Sequence, residues 1–221
     1  MILVLAESAL ELVPPELWRH PAVVADARRR GRRPGEVLLD RSRHHPAMGL
    51  LKDAARRGRP DIVHQALLAF QYSPLVRRGL GAAYVHTRGD FVIEVKPGTR
   101  IPKNYNNFVA LVEQLFKVGR APPEGEPLLI LHRMDLATLL AKLGGRWAVM
   151  HERGAKLPLC KLGEVVKDRV VVVGGFPHGD FDARWVVERA DAAYSLGEEP
   201  LDAAQVVCKI TTAAECALGM L

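Results

Sequence analysis

Apolar residues in this chain fall into short continuous runs separated by amphipathic stretches. Residues 2–6, 128–131, 147–150 and 170–173 are nearly all aliphatic, with Trp147 as the aromatic exception. Short unbroken runs of this kind predict strands buried on both faces, as in a parallel sheet covered by helices. Helices are predicted between them. One opens at Pro14-Pro15, and another spans 46–57 with Met48, Leu51 and Ala55 on one face and Gly58 as its stop. Further helices are expected over 61–70, over 105–116 behind a capping Asn104, and over 135–143, 159–166 and 201–218. Residues 37–39 suggest a short additional strand, and the charged run 28–34 a surface loop or frayed helix. Residues 82–86 and 91–95 alternate in polarity around Thr87-Arg88-Gly89-Asp90, a β-hairpin pattern in which the Arg-Gly-Asp triplet is turn chemistry. No internal repeat is present. The expectation is one α/β domain over 1–221, a parallel sheet with helices on both faces and an accessory hairpin near 81–95.

Composition narrows the class. At 221 residues, 48% hydrophobic and 25% charged, the chain is an ordinary globular domain; aromatics make up only 6%, so the core is aliphatic. No apolar run reaches the roughly 18–20 residues of a membrane helix, and no membrane partner is expected. Residues 1–7 lack a basic segment and reach Glu7 at once, which reads as a buried strand. Cys160, Cys208 and Cys216 have no zinc-type spacing; no metal site is expected, and the thiols are expected buried and reduced in a cytoplasmic protein. Charge is unevenly placed. Residues 19–59 carry twelve Lys/Arg, eleven of them arginine, against four acids; that excess is larger than the whole chain's +6. Such a block suggests a polyanionic partner, most simply a phosphate backbone, although a solvated charged surface has the same composition.

Two glycine-bearing loops carry the candidate chemistry. Gly174-Gly175-Phe176-Pro177-His178-Gly179 follows the Val170–Val173 run, and Ser195-Leu196-Gly197-Glu198-Glu199-Pro200-Leu201 follows Ala192-Ala193-Tyr194. Loops at the carboxyl ends of neighbouring parallel strands are where α/β sheets bind small ligands. Neither loop is G-x-G-x-x-G opening a helix, and neither is a P-loop, so dinucleotide and nucleoside-triphosphate readings are disfavoured. Pro200 reads as a first-turn proline, placing free amides near the loop. Glu198 and Glu199 argue against phosphate there and suit a cationic ligand. Two other segments stand out. Arg59-Pro60-Asp61 places a cation and a carboxylate at one helix start, which as a plain cap would look the same. Thr99-Arg100-Ile101-Pro102-Lys103-Asn104-Tyr105-Asn106-Asn107 mixes cations, amides and an aromatic, a set suited to phosphates and unstacked bases.

Taken together and in order, five segments give the chain a family resemblance. They are Glu7-Ser8-Ala9-Leu10-Glu11-Leu12-Val13-Pro14, Gly58-Arg59-Pro60-Asp61-Ile62-Val63-His64, Thr99-Arg100-Ile101-Pro102 with Tyr105 and Phe108, Gly174 to Gly179, and the Ser195 to Leu201 loop. The chain closely resembles the archaeal form of the Nep/Emg family, SPOUT-class pseudouridine-N1 methyltransferases of ribosome biogenesis. The resemblance implies a homodimer with a C-terminal trefoil knot, whose loops hold S-adenosyl-L-methionine. It also implies methylation of N1 of one pseudouridine in a hairpin of small-subunit ribosomal RNA. Carried over by position, Gly174, Gly179, Leu196, Gly197, Glu198, Glu199, Pro200 and Leu201 would line the cofactor, and Arg59, Asp61, Arg100, Lys103 and Asn107 would contact RNA. Asp61 is the motif carboxylate to nominate, with Arg59, for catalysis, either as a base or as a reader of the base edge; orienting Arg59 is its other role.

This chain departs from the family where Lys103 replaces an arginine and Asn107 a basic residue, which weakens two phosphate contacts. The Arg28 to Arg33 run is expected to compensate. A second function class stays open: a non-catalytic ribosome-assembly factor that uses the same surface to bind rRNA and a ribosomal protein.

Overall fold

The computed structural model describes residues 1–221. Eight strands form one sheet in the order β4-β5-β3-β2-β1-β7-β6-β8. They are β1 (Ile2–Ser8), β2 (Ala82–Thr87), β3 (Phe91–Val95), β4 (Arg120–Ala121), β5 (Leu129–Arg133), β6 (Trp147–Lys156), β7 (Val170–Gly174) and β8 (Ala192–Ser195). The helices are α1 (Pro21–Arg29), α2 (Arg41–Met48), α3 (Pro60–Gln71), α4 (Pro74–Arg77), α5 (Tyr105–Val118), α6 (Leu136–Lys142), α7 (Leu159–Val166), α8 (Trp185–Glu188) and α9 (Ala203–Ala217).

The unbroken apolar strands are buried on both faces, and the pleat sorts them. Leu3, Leu5, Val171 and Val173 point into one core with Phe70, Phe108 and Ile210, where α3, α5 and α9 pack. Val4, Ala6, Val149 and Val172 point the other way, onto Leu136, Leu139, Val186 and Phe181. The first strand lies mid-sheet, paired in parallel with β2 on one side and β7 on the other. A third core, including Val13, Leu17, Val23, Leu39 and Met48, lies under the arginine-rich segment.

Several expectations change. The sheet is mixed, because β3, β4 and β5 run antiparallel to their neighbours. The 82–95 hairpin is not an accessory: β2 pairs directly with β1 and β3 continues the sheet into β5, because both strands carry buried residues on the sheet's faces. The helix expected at 46–57 instead occupies Arg41–Met48. It starts earlier because Asp40 caps it, accepting from the Ser42 amide, and the chain beyond it unwinds through Asp53 at φ 55°. Residues 37–39 form no strand, only a single bridge between Leu12 and Leu38.

The cysteines are exposed, not buried. The buried stripes of α7 (Leu162, Gly163, Val166) and α9 (Val207, Ile210, Ala213, Ala214) face inward, and Cys160, Cys208 and Cys216 fall outside them. The basic block is also largely answered from within. Arg29 and Arg30 pair with Asp26, Arg30 and Arg32 with Glu113, Arg33 with Glu36, and Arg57 with Glu11. The Arg28 to Arg33 run therefore spends most of its charge on internal carboxylates instead of compensating for Lys103 and Asn107.

Glu113 anchors that network. Its side chain is fully buried, accepts from the Leu38 amide at 2.9 Å, and meets Arg30 at 2.6 Å and Arg32 at 3.3 Å. Removing one partner of a buried charge cluster leaves the others uncompensated. Glu113→Ala is expected to cost about 3 kcal/mol of unfolding free energy, read by denaturant titration; a loss within experimental error would show that the cluster contributes no net stability.

Candidate active site

Two cavities meet at the start of α3. The larger, of about 670 Å³, is walled by residues 173–181 on one side and 194–206 on the other, with His151, Glu152, Arg59 and Asp61 completing it. The two glycine-bearing loops thus form opposite walls of one space, although the strands they follow are not the neighbours expected: β6 lies between β7 and β8 and separates the walls.

The first loop is held against the end of β1. Gly175 donates to the Ala6 carbonyl at 2.8 Å, and its own carbonyl accepts from Ala9 at 2.9 Å. A Cβ at Gly175 would overlap Ser8, so only glycine allows this approach. Gly179 has φ +81°, the left-handed region, which reverses the chain before Asp180. Glu7, itself at φ 50°, is buried and accepts from the amides of Asp182 (2.7 Å) and Ala183 (2.8 Å). The Arg56 guanidinium lies 4.6 Å over the Phe176 ring and pairs with Asp182 at 2.9 Å.

The second loop differs from expectation at its exit. Pro200 is not a first-turn proline; Asp202 caps α9 in a capping box with Gln205, at 2.8 and 3.0 Å. That box consumes amides that a free helix start would offer to an anion. Glu198 and Glu199 are exposed, and Glu198 pairs with Lys156 at 3.0 Å. A Cβ at Gly197 would meet nothing within 4 Å, so the loop backbone faces open space.

Sequence reasoning did not find His151 or Asp180. His151 ends the apolar part of β6, and its Nε2 lies 3.1 Å from Asp180 Oδ1, while its Nδ1 accepts from the Arg153 amide at 3.2 Å. These contacts set the tautomer, with Nε2 as the donor. Burial pushes the Asp180 carboxyl up, but hydrogen bonds from the Phe181 amide and His151 outweigh it and hold the group below the usual carboxylate range. The wall carries Asp61, Glu152, Asp180, Glu198, Glu199 and Asp202 against the single guanidinium of Arg59. Such a lining disfavours phosphate and favours a cation.

The smaller cavity, of about 460 Å³, is lined by Asp40, Arg41, Ser42, Arg59, Asp61, His64, Gln65 and Tyr105. Arg59 and Asp61 border both spaces. Arg59 donates to Asp61 through Nε at 2.8 Å and Nη2 at 2.7 Å, a bidentate pair that raises the guanidinium's pKa. Both oxygens of Asp61 are taken by this fork, so its visible role is to orient Arg59. Across the cavity the Tyr105 hydroxyl donates to Asp40 at 2.7 Å, and burial together with that carboxylate keeps it protonated. Asp40 also accepts from the Ser42 hydroxyl at 2.6 Å.

Arg100, Lys103 and Asn107 are exposed and line neither cavity. Asn107 lies in the first turn of α5, and the loop bearing Arg100 and Lys103 is strapped to α3 and its C-terminal cap: His64 Nε2 lies 2.7 Å from the Pro102 carbonyl, the Tyr72 hydroxyl donates to the Ile101 carbonyl at 2.8 Å, and Lys103 sits over the Tyr72 ring. The basic loop therefore adjoins the smaller cavity through Tyr105 and His64.

An open α/β sheet carries a loop-walled acidic cavity beside a basic surface, and sequence comparison gives the class of protein. Residues 3–215 match the EMG1/NEP1 methyltransferase family, and the chain belongs to that family. The ribosomal RNA small subunit methyltransferase Nep1 of Pyrobaculum aerophilum is 72% identical over 221 residues, all of both chains. The protein of the same name from Thermococcus kodakarensis is 46% identical over 222 residues, 99% of each. The crystal structure of Archaeoglobus fulgidus Nep1 bound to S-adenosylhomocysteine superposes with a TM-score of 0.87 at 38% identity, covering 99% of this chain and 98% of that one.

The cap at Asp202 shapes the cavity wall. Asp202→Ala is expected to cost about 1 kcal/mol and to fray the first turn of α9, measured by denaturation and amide exchange at residues 203–206; unchanged exchange there would show that the capping box does not hold the wall.

Proposed function

We propose that the chain methylates N1 of a specific pseudouridine in small-subunit ribosomal RNA, using S-adenosyl-L-methionine, and takes part in small-subunit biogenesis. The observation that carries the reading is the junction at Arg59 and Asp61, where an acidic cavity suited to a cationic cofactor opens beside a second cavity flanked by basic residues.

The larger cavity fits the cofactor. Its glycine-bearing walls let backbone approach a ligand closely, and its carboxylates suit a sulfonium cation. Gly174, Gly179 and residues 196–201 would hold it, with Asp180 as the ionised group in the wall. When bound, S-adenosylmethionine supplies an electrophilic methyl group. The smaller cavity would take the flipped base, with Tyr105, Asp40 and His64 as polar walls. Arg59, fixed by Asp61, is placed to contact the RNA at the boundary between the two cavities, and this positioning supplies much of the rate. Arg100, Lys103 and Asn107 would hold the RNA backbone outside. In this reading Asp61 orients Arg59 and does not carry the N1 proton.

The reading extends to a single SPOUT domain with a C-terminal trefoil knot, acting as a cytoplasmic homodimer. The strand order supports the knot, since the chain passes from β7 across β6 to β8 and α9 then packs back on α7 and α3. No helix is long and apolar enough to cross a membrane.

Incubation with methyl-labelled S-adenosylmethionine and a pseudouridine-bearing rRNA hairpin tests the reading. Label is expected in the pseudouridine and not in a uridine control. Tight, salt-sensitive hairpin binding without label would favour the assembly-factor alternative. Arg59→Ala and Arg100→Ala are each expected to weaken hairpin binding about tenfold, the loss of one charged hydrogen bond, with S-adenosylhomocysteine affinity unchanged by calorimetry. Loss of cofactor affinity in either variant would contradict this division of labour.

Asp180→Asn isolates the charge in the wall. S-adenosylmethionine and S-adenosylhomocysteine differ in the sulfonium charge, so the variant is expected to lose about threefold in affinity for the former and little for the latter, a half-exposed charge being screened. An unchanged ratio would remove Asp180 from any role in recognising the cation.

A further inference from the structure

The three thiols remain outside the proposed chemistry, and two of them are brought together. Helices α7 and α9 touch backbone to backbone: a Cβ on Gly163 would overlap the Ala213 carbonyl and lie 3.1 Å from the Ala217 Cβ. Glycine at that crossing lets the helix axes approach more closely than ordinary side chains allow. Cys160 sits three residues before Gly163 on α7, at the exposed edge of its buried stripe. Cys216 sits three residues after Ala213 and adjoins Ala217 on α9. Both cysteines are exposed, at the rim of this contact, with no partner sulfur bonded. Cys208 lies about two turns away along α9 and shares neither neighbour.

We propose that Cys160 and Cys216 are a disulfide site that clasps α7 to α9 within one chain. A glycine-mediated crossing brings flanking Cα atoms into the range a disulfide spans. The nearness of Cys160 pushes the Cys216 thiol above its ordinary range. With a low-molecular-weight disulfide as oxidant, the Cys160 thiolate forms a mixed disulfide and releases one small thiol. The Cys216 thiolate then attacks the Cys160 sulfur and expels the second. The two cysteine protons end on the two small thiols, and the oxidant takes both electrons.

The position gives the bond consequence. The segment closed by 160 and 216 contains β7, β8 and both glycine-bearing loops. A cross-link there closes a loop of the unfolded chain that contains both cavity walls, and so restricts it. This proposal stands independently of the methyl-transfer reading.

The test uses the full chain, reduced and then equilibrated with oxidised glutathione, alkylated, and digested without reduction. Mass spectrometry is expected to find the Cys160 peptide joined to the Cys216 peptide with loss of two hydrogens, in material that migrates as a single chain on a non-reducing gel, and Cys208 alkylated. The oxidised protein is expected to unfold roughly 5–10 °C above C160S and C216S treated identically. Three alkylated cysteines, a persistent glutathione adduct on Cys160, a chain-to-chain link, or equal unfolding midpoints would each overturn the proposal.

Discussion

The backbone of Ala9 joins the two halves of the site. Its N–H donates to the Gly175 carbonyl of the first cavity wall, and its carbonyl accepts from the amide of Arg59. Ala9 is buried at 1% exposure, so neither bond competes freely with water. The residue follows β1, which lies mid-sheet between β2 and β7. The place where the glycine loop turns and the place where Arg59 begins α3 are therefore set by one strand end. Glu7, two residues earlier, fixes the far end of the same loop through the Asp182 and Ala183 amides. A left-handed Glu7 persists because the surrounding bonds over-determine it.

Electrostatics divides along this seam. On the cavity side the carboxylates outnumber the cations, and the one guanidinium present is locked to Asp61. On the other side, arginines that suggested a broad nucleic-acid surface turn out to brace the fold, most clearly at Glu113 and Asp26. What remains for an external anion is a smaller set led by Arg100 and Lys103, held in place by backbone bonds from the 99–103 loop to α3. The surface is narrower than net charge implied, and it is better organised.

The sheet strands, α3, α5 and the placement of the two loops were legible because each rests on local pattern: unbroken aliphatic runs, Asn104 as a cap, glycines after strands. The hairpin was legible as a hairpin, but its place in the sheet depends on pairing with β1, about eighty residues away, which no local pattern encodes. The Arg59–Asp61 pair was visible at two-residue spacing, whereas its bidentate geometry was not. His151 and Asp180 escaped notice because neither belongs to a spaced motif; only the turn at Gly179 carries Asp180 back to the middle of β6. The cysteines were misjudged from average burial, because the glycine and alanine of α7 and α9 take the inward positions. The family resemblance supplied the cofactor and RNA assignments, and the residues themselves supplied the preference for a cation over phosphate.

Hydrogen–deuterium exchange of the intact protein with and without S-adenosylhomocysteine addresses the joint role of the two loops most directly. Protection is expected in both 174–181 and 195–206, with the amides of Ala9 and Arg59 slowed alongside them and 99–107 unchanged until a pseudouridine hairpin is added. Protection confined to one loop, or centred on 99–107 with S-adenosylhomocysteine alone, would contradict a single cofactor cavity walled by both loops and separate from the RNA surface.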